Sequence, residues 1–222
     1  MKIACRRQGL ARRVLAAVPA LVLMAGCAGT PTRYYTLAEP SRDVTSAPAT
    51  ATAARASSGE RIYFEVSPIA MPERFARPQM VVRRQNEPDA QVEILEQSRW
   101  SSSFESELRD ALAAGIASRL SAVDVTKSGQ SRGQPVYRVV VQMGQFDAVE
   151  GGKLDGAFSW TLRRTDEEPL VTCNLRVSEA LSGGLEGVAQ GARRVTGRLA
   201  DGIAGSVASM AGRHGARCPV EG

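Results

Sequence analysis

Histidine is nearly missing from this 222-residue chain, with His214 the only one. A multi-histidine metal site is therefore excluded, as is any mechanism that needs two imidazoles. His214 lies four residues before Cys218, and no third group is in place to orient such a pair, which argues against a thiol–imidazole nucleophile. It reads as a solvated residue at a helix end. A G-x-x-x-x-G-K-S/T phosphate loop is also missing, so the chain is not itself an ATPase. Gly183-Gly184-x-x-Gly187 lacks the strand–turn context and spacing of a dinucleotide site. Carboxylates are scattered, and Asp166-Glu167-Glu168 reads as a solvated turn. The basic pairs Arg83-Arg84 and Arg193-Arg194 are too short to mark a nucleic-acid surface. No catalytic residue, metal-ligand set or nucleic-acid partner is assigned. Nor does any apolar run reach the ~20 residues that span a bilayer.

What the chain has is a basic front. Lys2, Arg6, Arg7, Arg12 and Arg13 precede residue 14, and residues 1–26 contain no acidic side chain. Val14 to Met24 (VLAAVPALVLM) is apolar, and Ala25-Gly26-Cys27 follows. A basic segment, a short apolar segment and small residues before a cleavage point make a secretory signal peptide over residues 1–26. Met24-Ala25-Gly26-Cys27 resembles the bacterial lipobox, in which the cysteine thiol receives diacylglycerol and the new N-terminus is acylated. Cys27 is thus the expected lipidation site, and the lipid is the one covalent group expected; no other cofactor is. Each buried CH₂ of an acyl chain contributes about 0.8 kcal/mol, so several chains hold a protein on a membrane. Ala28, where sorted lipoproteins kept at the inner membrane carry aspartate, favours the outer membrane. The formal net charge of +5 belongs wholly to the leader. Without those five basic residues the chain has 23 of each sign, and the mature protein is formally neutral.

Of the four cysteines, Cys5 leaves with the leader and Cys27 carries the lipid. Cys173 and Cys218 remain, in an oxidising compartment where disulfides persist. They are expected to pair and pin the C-terminal tail to the sheet. The other reading is two separate thiols, with Cys173 buried in a strand.

Residues 27–60 read as a lipidated N-terminus with a short Tyr34-Tyr35-Thr36-Leu37 strand. An Ala-, Ser-, Thr- and Pro-rich stretch over 38–59 follows, too poor in large apolar groups to fold. Residues 61–222 read as the globular domain. Strands are expected at Ile62–Val66, Met80–Arg84, around Val92–Leu95, and then as a meander over Val136–Asp147, Gly156–Arg164 and Leu170–Val177. Period-two alternation carries these assignments, and Glu150-Gly151-Gly152-Lys153 marks the first meander turn. Phe104, Leu108, Ala111, Leu112, Ile116 and Leu120 set one helical stripe after a Ser103 cap. Leu185, Val188, Ala192, Val195, Leu199, Ile203 and Val207 set a second. Its glycines weaken that helix by about 1 kcal/mol each relative to alanine. Packing must therefore hold it, and small residues on it leave a homo-oligomer open. Strands covered by helices make a layered α/β domain.

Several motifs together resemble a family. The lipobox is followed by Tyr34-Tyr35-Thr36-Leu37, by Ile62–Val66 with Pro68, and by Pro72-x-x-Phe75-x-Arg77-Pro78-Gln79-Met80-Val81. Arg99-Trp100 then precedes an amphipathic helix. The mature chain is similar to the ABC-transport auxiliary lipoproteins of the PqiC/YmbA type. The resemblance implies a mixed sheet of about five strands packed by two main helices, like anticodon-binding and TolB N-terminal domains. It implies a non-catalytic lipoprotein on the outer membrane, facing the periplasm. Its partners would be an MCE-domain protein, a permease and an ATPase that move lipid between membranes and support envelope integrity. The alternative is a lipoprotein interaction module that regulates or scaffolds cell-wall or outer-membrane assembly. Phe75, Arg77, Pro78 and Gln79 are the candidate partner-binding residues, combining an anchor with hydrogen-bonding groups on a proline-stiffened loop. The competing reading is a structural loop that shapes the start of the next strand. Trp100 reads as a core plug over the helix start.

Overall fold

The computed structural model describes residues 30–39, 61–88, 90–128, 133–166, 170–212 and 218. The signal peptide, Cys27, His214 and most of the 38–59 stretch lie outside these residues. Met1–Thr32 forms one unit, of which only residues 30–32 are described, and the second unit begins at Arg33. In chain order its elements are β1 (Arg33–Tyr35), β2 (Tyr63–Val66), a 3₁₀ turn (Glu73–Phe75), β3 (Gln79–Arg84), β4 (Glu93–Trp100), α1 (Phe104–Leu120), β5 (Val123–Asp124), β6 (Val136–Glu150), β7 (Lys153–Arg164), β8 (Val171–Ala180) and α2 (Gly184–Ala211).

The alternating run at Val136 makes β6 the spine of the sheet. At about 3.3 Å per residue it has room for two separate neighbours along one edge. Near its start it pairs in parallel with β2, through Val136–Val139, and β5 lies beyond β2. Near its end it pairs in parallel with β3 at Val149 and Glu150. β4 then runs antiparallel to β3, and β1 parallel to β4. Along its other edge β6 runs antiparallel to β7, and β7 to β8. The mixed α/β class holds, with a sheet of eight strands rather than about five. Seven were marked by apolar or alternating runs. β5 has two residues, too few to leave a periodic signal.

One face of this sheet is dry. Along β6 Tyr137, Val139, Val141 and Met143 are buried while Arg138, Val140 and Gln142 are exposed. The register shifts between Met143 and Gln145, so a bulge exchanges the parity, and Phe146 and Ala148 take the inward positions beyond it. Trp160, Leu162, Phe158 and Leu154 continue the dry face on β7. α1 and α2 cover it, which makes two layers. Their buried stripes are Phe104, Leu108, Leu112 and Ile116 on α1, and Val188, Ala192, Val195, Leu199, Ile203 and Val207 on α2.

Local chemistry sets the helix ends. Ser103 Oγ accepts from the Ser106 amide at 3.2 Å, capping α1. α2 is capped by Gly183 and starts at Gly184, with φ of 82° and 62°, values that glycine adopts without a side-chain clash. Close packing answers the weak propensity of α2. A Cβ on Gly115 of α1 would lie 2.9 Å from the Ala200 Cβ of α2, so the helices meet at a point where neither carries bulk.

Candidate functional site

The N-terminal strand does more than lead into the domain. β1 docks on β4 with Tyr35 opposite Trp100. Two residues later Leu37 is 2% exposed and part of the core. Glu107, one turn into α1, closes on this segment. Its Oε2 accepts from Thr36 Oγ1 and from the Leu37 amide, each at 2.8 Å. Its Oε1 accepts from Ser101 Oγ and, at 3.3 Å, from Ser102 Oγ. From the other helix, Arg193 Nε donates to the Thr36 carbonyl at 2.8 Å. Both helices therefore hold Thr36, and α1 holds Leu37 as well. The grip stands at one end of an interhelical groove of about 650 Å³ lined by Thr36, Asp110, Gly115, Arg193 and Gly197.

Glu107 is 9% exposed. Burial opposes its charge, but the hydrogen bonds from Ser101, Leu37, Thr36 and Ser102 outweigh burial and hold its pKa below the ordinary glutamate value. A carboxyl whose folded pKa is depressed stabilises the fold above its unfolded value of about 4.3, and this stability is lost as pH falls through the folded pKa. Glu107→Gln replaces one accepting oxygen with a donor. We expect it to cost about 1–3 kcal/mol at neutral pH, the range for a buried polar group left unsatisfied. It should also flatten the loss of stability expected of the parent as pH falls through the depressed Glu107 pKa. Urea denaturation between pH 3 and 7 reads both; parallel pH curves for parent and variant would remove Glu107 from this role. Sequence reading passed over Glu107, although one clue was present: a carboxylate on the apolar stripe between Phe104 and Leu108.

The 72–79 segment divides. Phe75 closes the 3₁₀ turn, its amide donating to the Pro72 carbonyl at 2.9 Å. It is 5% exposed, with ring centroids 6.0 Å from those of Phe104 and Phe146. Trp100 extends the cluster, 5.2 Å from Phe104. Phe75 is thus a core residue and not an exposed anchor, because the turn aims its ring inward at α1 and β6. Arg74 covers it with its guanidinium 4.7 Å from the ring centroid and faces Asp147 at 3.6 Å. Arg77, Pro78 and Gln79 stay half-buried at the surface. The Pro78 carbonyl accepts from the Trp100 amide at 2.7 Å, and Gln79 Nε2 donates to Glu96 Oε2 at 3.2 Å. Arg77 Nε has no hydrogen-bond partner among the described residues.

Cys173 and Cys218 are joined by a disulfide with Cα atoms 5.4 Å apart. Cys173 is 1% exposed on the dry face of β8, opposite Trp160, with its Sγ 3.7 Å from Ser206 Oγ of α2. Among the described residues no group of three or more His, Cys, Asp or Glu could hold a metal ion. No described helix is long and apolar enough to cross a membrane. Gly129-Gln130-Ser131-Arg132-Gly133 has the spacing of a G-x-S-x-G nucleophile elbow. It stands between β5 and β6, however, and leads into a strand where that motif requires a strand turning into a helix.

Two crystal structures share the fold. One, of an uncharacterized protein, superposes with a TM-score of 0.59 at 18% identity, covering 80% of this chain and 99% of the other. A Xanthomonas campestris protein of the DUF330 family superposes at 0.53 and 11% identity, covering 71% and 91%. Comparison with curated proteins returned no match. A family model described as the ABC-type transport auxiliary lipoprotein component matches residues 43–204. The chain belongs to the ABC-type transport auxiliary lipoprotein family.

Proposed function

We propose that this protein is an outer-membrane-tethered, non-catalytic docking component of an envelope transport system. Cys27 carries diacylglycerol and an acyl chain, and the domain faces the periplasm. Its partner is the MCE-domain protein of a system with a permease and an ATPase, working in lipid transport between membranes and in envelope integrity. Family membership carries this reading. The geometry adds support. A tether needs a firm attachment, and the chain that follows Cys27 enters the fold through β1 and the Glu107–Arg193 grip on Thr36 and Leu37. Arg77, Pro78 and Gln79 supply the contact groups toward the partner, on a rim fixed by β3 and β4.

Affinity purification of the full chain from detergent-solubilised membranes tests the partner. Recovery of an MCE-domain protein is the expected outcome, reduced by Arg77→Ala together with Gln79→Ala. Recovery of a cell-wall synthase and no transport component would overturn the reading.

A further inference from the structure

We propose that the β1 edge is the face of the domain that rests on the membrane, with the Tyr34 ring set into the headgroup region. The inference rests on lipidation at Cys27.

Reach comes first. Five residues separate Cys27 from Arg33, and the six Cα-to-Cα steps span at most about 20 Å when fully extended. As a flexible segment they would average about 13 Å. Of all the strands, β1 is joined to the lipid by the shortest length of chain. It is also an outer strand of the sheet, paired with β4 on one side.

Composition is the second observation. Tyr34 is 67% exposed, ahead of Leu170 at 59% and Val140 at 44%. An aromatic body with a hydroxyl tip suits a bilayer interface, where one end is apolar and the other wet. Beside it an open groove of about 680 Å³ is lined by Arg33, Tyr35, Leu185, Glu150 and Glu186. Cationic and anionic side chains around one apolar floor match a zwitterionic headgroup, with phosphate toward Arg33 and ammonium toward Glu186. A strongly anionic surface would instead be met by a basic patch. The occupant is thus the zwitterionic bilayer that already holds the anchor.

The test uses the full lipidated chain in zwitterionic vesicles of phosphatidylethanolamine and phosphatidylcholine, with and without brominated acyl chains. The native Trp100 and Trp160 are 4% and 1% exposed, and the parent chain in the same vesicles supplies their contribution, which is subtracted. Tyr34→Trp adds a reporter at the proposed contact. Leu170→Trp adds one beside β8, five strands from β1 and so about 24 Å away across the sheet at 4.8 Å per strand. An interfacial ring lies about 5–10 Å into the headgroup–acyl boundary, so brominated lipid should cut the added Tyr34→Trp emission roughly twofold. The Leu170→Trp signal should not change. Vesicle-bound protein with an unquenched Tyr34→Trp, or with both reporters quenched alike, overturns the contact and leaves the anchor standing. Protein that fails to float with the vesicles overturns the anchor, and this contact with it.

Discussion

Phe75→Ala should destabilise the domain by about 3–5 kcal/mol, the usual cost of truncating a buried phenylalanine. The ring is 5% exposed and stands within 6.0 Å of two other phenylalanines. Removing it opens a cavity where the 3₁₀ turn, α1 and β6 meet. The turn is held by two local hydrogen bonds, from the Phe75 amide to the Pro72 carbonyl and from the Ala76 amide to the Glu73 carbonyl, and is flanked by two prolines, so it has little means of collapsing into the gap. Domains are stable by about 5–15 kcal/mol in total, and a loss of this size is a large fraction of that. Gln79→Ala removes one bond on a half-exposed rim and should stay within about 0.5 kcal/mol. Urea midpoints of the two variants separate the two roles of the segment. If Phe75→Ala kept the parent midpoint but lost partner capture, the ring would be a docking anchor after all.

Cys218→Ser should cost about 3–4 kcal/mol. The bond joins residues 45 apart, and in the chain-entropy model a loop of that length restricts the unfolded chain by roughly that much. Cys218 is the position to change, because it is exposed. Serine at Cys173 would bury a new hydroxyl beside Trp160 and confound the result. Reductant should lower the thermal midpoint of the parent to that of Cys218→Ser and leave the variant unmoved. A parent indifferent to reductant would contradict a stabilising role for the bond. The location of the bond also matters. It fastens Cys218 against the last strand of the sheet, at the foot of α2, the helix with the most glycine.

Much of this fold was legible because its long elements repeat at one period. The two helical stripes and the β6–β7–β8 meander were readable to within a few residues. The parity change after Met143 was not readable, since a bulge leaves the composition of a strand untouched. β5 was lost to its length. Phe75 shows a limit of another kind. A phenylalanine between two prolines has no periodic neighbours to say which way it points, and only the meeting of the turn with α1 and β6 decides it. Glu107 was passed over because one residue cannot reveal that chain 70 positions away will come to cover it. Its signal was a charge in the wrong place on a helical stripe, which is weak until Thr36 and Leu37 are seen to lie over it. The proposed tether has the reverse character. The motif that suggests it lies wholly in residues 1–28, and the described fold begins only after it.

The central claim is that lipid on Cys27 holds this domain at the outer membrane. Fractionation of cells expressing the parent or Cys27→Ala tests it most directly. The parent should sediment with outer-membrane markers and be released only by detergent, while Cys27→Ala should appear in the soluble periplasmic fraction or retain its leader. Cleaved Cys27→Ala that remains with the outer membrane as fully as the parent would contradict the account.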